Sequence, residues 1–119
     1  MTDPFAERLA RVRGRFVSSL EGKIGETCAA MPKLSAALPE AAAAVAEAYR
    51  CMHGIVGIGR SVGYPAIGQA ARAVEDVLRS PYQSRRGLTP GEADTVANAL
   101  QALRDAASRE LQALHPAGE

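Results

Sequence analysis

A chain of 119 residues is long enough to bury one core and too short for two, so residues 1–119 are read as a single domain. It is rich in alanine, with two Phe, three Tyr and no Trp, which disfavours a sheet of β-branched and aromatic residues and favours closely packed helices. A net charge of +1 with acids and bases interspersed excludes the basic field that holds a nucleic acid, and apolar runs stop well short of the roughly 20 residues of a bilayer span. The start MTDPFAERLARVRGR lacks the apolar core of a signal peptide, so the expectation is a soluble, cytoplasmic chain with neither nucleic acid nor membrane as partner.

The first segment carries Phe5, Leu9, Val12, Phe16, Leu20, Ile24, Cys28 and Met31 at intervals of three or four, the spacing of one helical face. Asp3 and Pro4 read as an N-cap and a first-turn proline, and Gly22 with Gly25 marks a candidate break in this helix. Cys28 and Cys51 are expected as two reduced core thiols, since two cysteines make a poor disulfide framework. PKLSAALP, residues 32–39, is a connector, because each proline discourages helix in the residue before it.

A second helix follows from near Pro39. Ala41, Ala44, Ala48, Cys51, Ile55, Ile58 and Val62 are spaced 3, 4, 3, 4, 3, 4, predicting an inward seam. His53 then points nearly opposite the seam, sharing an exposed face with Ala46, Tyr49, Arg50, Gly57 and Arg60. Gly63, Tyr64 and Pro65 form a turn. A third helix is predicted from Pro65 to Arg79, with Ile67, Ala70, Ala71, Val74 and Leu78 inward and Gln69, Arg72 and Asp76 outward. SPYQSRRGLT reads as a loop. Thr89, Pro90 and Glu92 form a helix-start signature. The fourth helix runs to about Leu114, with Ala93, Val96, Leu100, Leu103, Ala107 and Leu111 inward, and residues 115–119 are a frayed tail. The fold class is therefore all-α, an antiparallel up-down four-helix bundle over about residues 4–114.

The stretch CMHGIVGIGRSVG, Cys51 to Gly63, admits two meanings. Gly57, Gly59 and Gly63 spell a glycine-rich loop, but a dinucleotide loop needs a strand before it, and PEAAAAVAEAYR is helical. A Walker loop fails too, for want of its lysine. As helix, each glycine costs roughly 0.5–1 kcal/mol relative to alanine, so each asks for a compensating role. Gly59 lies beside the seam, where helices pack closely, and Gly63 ends the helix. Gly57 sits one turn after His53 on its exposed face, where a side chain would crowd the space above the imidazole. An exposed imidazole kept clear in this way suits phosphoryl transfer between two proteins, because the phosphorus must be approached in line while its carrier is docked.

The spacing around His53 resembles the histidine-containing phosphotransfer domains of bacterial multistep phosphorelays. That family has glycines at +4 and +10 from its histidine, an apolar residue at +14 and, at +22, a glutamate after an apolar residue; here Gly57, Gly63, Ile67 and Glu75 after Val74 match. The resemblance implies that His53 accepts a phosphoryl group from a receiver-domain phosphoaspartate and passes it to another receiver. It implies response-regulator receivers as partners, a hybrid histidine kinase among the sources of phosphate, and Mg²⁺ supplied by the receiver, with no cofactor or metal bound by this chain. The family often has lysine at +3, where this chain has Val56, and Arg60 and Arg50 are candidates for the missing positive charge.

The docking surface is expected to be the strip of Tyr49, Arg50, Val56, Gly57, Arg60, Tyr64, Gln69 and Arg72, on a monomer. Cys51 and His53 lie about 160° apart on a helix and cannot share a metal. His115 sits in the tail without a role. Asp3, Asp76, Asp94 and Asp105 are too scattered for a receiver-type acidic pocket. The alternative reading is a non-catalytic adaptor that binds a receiver or another helical partner without carrying phosphate; a generic dimerising helical module is a third.

Overall fold

A computed structural model describes residues 3–114, in four helices: α1 (Pro4–Ala30), α2 (Ala41–Ser61), α3 (Pro65–Gln83) and α4 (Pro90–Leu114). The expected tail, with His115, lies outside the described residues. Alanine-rich sequence and apolar residues at helical spacing bury one face of each helix, and the result is the all-α four-helix bundle.

α1 begins as its sequence predicts, the Asp3 carboxylate accepting from the Phe5 amide at 3.0 Å with Pro4 in the first turn. It does not break at Gly22 and Gly25. Buried Phe16, Leu20, Ile24 and Thr27 straddle both glycines, and their packing outweighs the weak local propensity. Phe5 is not inward as its spacing predicted: it is 70% exposed, and the buried stripe begins at Phe16.

The connector after α1 forms a 3₁₀ turn, Met31–Leu34, and then runs beside the α3–α4 connector. Leu88 donates to the Leu34 carbonyl at 2.7 Å and accepts from the Ala36 amide at 2.9 Å. This backbone clip buries Leu34 and Leu88, closing one end of the bundle.

α2 ends at Gly63, whose φ of 92° lies in the left-handed region open to glycine, and the Tyr64 amide then reaches back to the Gly59 carbonyl at 2.8 Å. Tyr64 was expected on the surface. It is buried, its ring stacked on Phe16 with centroids 5.8 Å apart, because the turn carries it into the core against α1. Two side chains pin this turn. Arg13 donates to the Val62 carbonyl at 2.9 Å, and the Glu110 carboxylate accepts from the Ala66 and Ile67 amides at 3.0 and 2.9 Å, at the positive end of the α3 dipole.

α3 runs past its predicted end at Arg79, through Pro81, to Gln83. Pro81 removes one helical donor near the last turn, but its ring is buried in the bundle, and packing keeps the helix going. The predicted helix start at Thr89 is present in full. The Thr89 hydroxyl accepts from the Glu92 amide at 3.2 Å, and Glu92 accepts from the Thr89 amide at 2.9 Å. Arg86 adds a two-pronged bond to the same carboxylate at 2.7 and 3.0 Å. Together the Arg86 hydrogen bonds and the Thr89 amide pull the Glu92 carboxyl from its ordinary 4.5 to about 2.

Candidate functional site

The orientation of α2 decides the site. Its buried residues are Ala41, Val45, Ala48, Met52, Ile55, Val56 and Gly59, with Val62 just beyond. The predicted seam is thus partly wrong: Ala44 and Cys51 are only half-buried, and Ile58 is 39% exposed. Val56, expected on the surface, is buried. One cause explains all four. α2 is packed on both α1 and α3, so its buried face turns from the alanine seam toward α3, taking in Val45, Met52 and Val56.

At about 100° per residue, this turn leaves His53 about 120° from the middle of the buried face instead of opposite it. The imidazole consequently stands at the α2–α3 edge. Its side chain is 72% exposed, yet Nδ1 reaches the carboxylate of Glu75 on α3, whose own side chain is only 5% exposed. The carboxylate accepts, so the neutral ring carries its proton on Nδ1 and its free lone pair on Nε2, the solvent-facing nitrogen. A buried acid that holds an exposed imidazole fixes the tautomer and leaves an oriented nucleophile.

Two aromatic rings continue the site. Tyr49, one turn before His53, lies nearly parallel to the imidazole, with centroids 6.1 Å apart and planes 12° apart. Its other face stacks on Tyr82 of α3 at 4.2 Å and 8°. Tyr49 is therefore half-buried between two neighbours and not a free surface ring, as its place on the outward face suggested. Arg79 bonds Asp76 at 3.1 Å and lies 3.8 Å from Glu75. The neighbouring Tyr49 hydroxyl, then Asp76 and Glu75, raise the guanidinium above its ordinary value, so it stays charged.

The other predicted residues are where the sequence placed them. Arg50, Gly57 and Arg60 are exposed on the His53 side of α2, and a Cβ built on Gly57 would meet nothing within 4 Å. Arg60, Gln69 and Arg72 border a shallow groove of about 370 Å³ between the end of α2 and the start of α3, floored by Pro65 and Gly68. Among the described residues, Arg50, Arg60 and Arg72 have no carboxylate partner. Cys28 and Cys51 are half-buried free thiols, short of the full burial expected of core residues. No group of three metal-ligating side chains comes together among the described residues, and none of their helices is long and apolar enough to cross a membrane.

Glu75, Arg79 and Tyr82 are the site residues that local reading missed. Glu75 was visible as a matching position without a role. Tyr82 was hidden because Pro81 made its neighbourhood look like loop.

Among the described residues, the helical bundle holds an exposed imidazole, His53, on a buried carboxylate. The match to known families is specific: the Hpt domain family fits residues 11–106, and the chain belongs to it. No curated protein and no solved structure matches the chain significantly.

Proposed function

We propose that this protein relays a phosphoryl group between receiver domains, carrying it on Nε2 of His53. The observation behind this reading is an imidazole 72% exposed whose Nδ1 is anchored on buried Glu75, which leaves Nε2 as the ring nitrogen free to react. Nε2 attacks the phosphorus of a receiver's phosphoaspartate in line. The N–P bond forms as the P–O bond breaks, and the aspartate carboxylate leaves with the electron pair. The proton stays on Nδ1. Glu75 offsets the positive charge that develops on the ring, as a buried acid does behind a catalytic imidazole. Mg²⁺ and most of the charge stabilisation come from the receiver, and the reverse sequence delivers the group to a second receiver.

The docking strip comprises Arg50, Gly57, Arg60, Gln69 and Arg72, without Val56 and Tyr64, which are buried. Arg60 supplies the positive charge for which the family commonly uses lysine at the place of Val56. Unpaired arginines beside the groove suit an acidic partner surface. The phosphate source is a receiver, free or in a hybrid kinase, in the cytoplasm.

Incubation with a phosphorylated receiver should place an acid-labile, alkali-stable label on the protein, absent from His53→Gln. A receiver that binds without labelling would favour the adaptor reading, and a label surviving in His53→Gln would refute the site. Glu75→Gln keeps an acceptor for Nδ1 but removes the charge. A hydrogen bond to a charged group is worth about 1.5–3 kcal/mol against about 0.5–1.5 kcal/mol to a neutral one, so transfer should slow roughly 5- to 15-fold. Rapid-quench transfer kinetics would measure it.

A further inference from the structure

Glu75 holds one atom of the imidazole and by itself leaves the ring free to swing about that bond. In-line transfer needs more, because the lone pair of Nε2 lies in the ring plane and the plane must face the incoming phosphorus. The missing restraint is on the page. Tyr49 lies nearly parallel to the imidazole, in an offset arrangement with centroids 6.1 Å apart and a 12° interplanar angle. Tyr49 is itself held from behind by Tyr82 at 4.2 Å. Tyr82 belongs to α3, as does Glu75, so the ring that backs Tyr49 and the carboxylate that holds Nδ1 come from the same helix. Arg79, one turn from Glu75 on that helix and beside the Tyr49 hydroxyl, links the aromatic column to the carboxylate.

We propose that Tyr49, backed by Tyr82, is a positioning residue that fixes the plane of His53 for phosphoryl transfer, which is a role distinct from contact with the receiver. The proposal rests on the phosphotransfer reading above. The stack runs nearly parallel to the ring plane, and a Cβ at Gly57, one turn further along the helix, would meet nothing within 4 Å. Positioning and docking predict different responses to a donor that needs no docking. Phosphoramidate is such a donor: Nε2 attacks its phosphorus, the N–P bond to the imidazole forms, the P–N bond to the donor breaks, and ammonia leaves.

The test compares His53 labelling by phosphoramidate and by a phosphorylated receiver in the wild type, Tyr49→Ala, Tyr49→Phe and Tyr82→Leu. Positioning predicts that Tyr49→Ala slows labelling by both donors, about two- to tenfold, the range a lost aromatic stack supports. Tyr49→Phe, which retains the ring, should restore the phosphoramidate rate. Tyr82→Leu should slow both donors in the same direction by a smaller factor, and it carries the test if Tyr49→Ala does not fold. In proton NMR the His53 ring signals should move in Tyr49→Ala and stay close to their wild-type positions in Tyr49→Phe. Unchanged phosphoramidate labelling in Tyr49→Ala and Tyr82→Leu, with slower transfer from the receiver, would make Tyr49 a docking contact and overturn the proposal. A wild type labelled by neither donor would instead overturn the phosphotransfer reading, and this inference with it.

Discussion

Gly57 and Gly87 are both glycines beside a helix pair, and they owe their identity to opposite sides of the protein surface. A Cβ on Gly87 would lie 2.6 Å from the Ala41 Cβ and 2.7 Å from backbone atoms of Ala36, none of which can swing aside. Its absence of a side chain lets the two connectors clip together through Leu34 and Leu88. A Cβ on Gly57 would meet nothing within 4 Å. No contact within the described residues accounts for glycine there, although helix propensity argues against it, and the proposed docking of a receiver over His53 supplies a reason. Gly87 serves the fold, and under the proposed function Gly57 serves an encounter.

The contrast can be broken most forcefully at Gly87. Gly87→Ala overpacks fixed backbone and should cost about 1–3 kcal/mol, read as a lower urea midpoint with an unchanged slope. Full stability in that variant would mean that the connectors part easily. Gly57→Ala should act in the reverse sense, stabilising by roughly 0.5–1 kcal/mol through helix propensity while slowing transfer from a receiver. Gly54→Ala, equally open but on the far side of Arg50, sharpens the comparison. It should give the same stabilisation with transfer unchanged, and equal slowing in both variants would deny Gly57 its special place.

The smallest expected effect concerns the clip end of α4. Glu92 has a folded pKa of about 2 against an ordinary 4.5, so its bonds to Arg86 and Thr89 stabilise the fold above about pH 4.5. That contribution is lost as pH falls from 4.5 toward 2. Glu92→Gln should therefore have a flatter acid limb in thermal melts against pH, and a parallel limb would show that the pair contributes nothing.

Much of the molecule was legible because it depends on near neighbours in the chain. The Asp3 cap, the Thr89–Glu92 capping box, the turn at Gly63 and the exposure of His53 each rest on residues within one or two helical turns. The errors share another origin. Gly22 and Gly25 looked like a break because propensity is local, and the apolar stripe from Phe16 to Thr27 overrode it. Pro81 looked like the end of α3 for the same reason. Tyr64 and Val56 were taken for surface because a single helix cannot say how many neighbours it has.

By itself the sequence determined four amphipathic helices, their start signals and a histidine on a polar face with glycine one turn away, since the 3.6-residue repeat and cap chemistry are local. Tertiary structure alone decided how far α2 rotates toward α3. That rotation depends on packing against two helices at once, and it brings Nδ1 of His53 to Glu75 and Tyr49 to Tyr82. The histidine and Tyr49 were legible from their own helix; the Glu75 carboxylate and the Tyr82 ring that meet them lie more than 20 residues away in sequence, and only the fold brings them together.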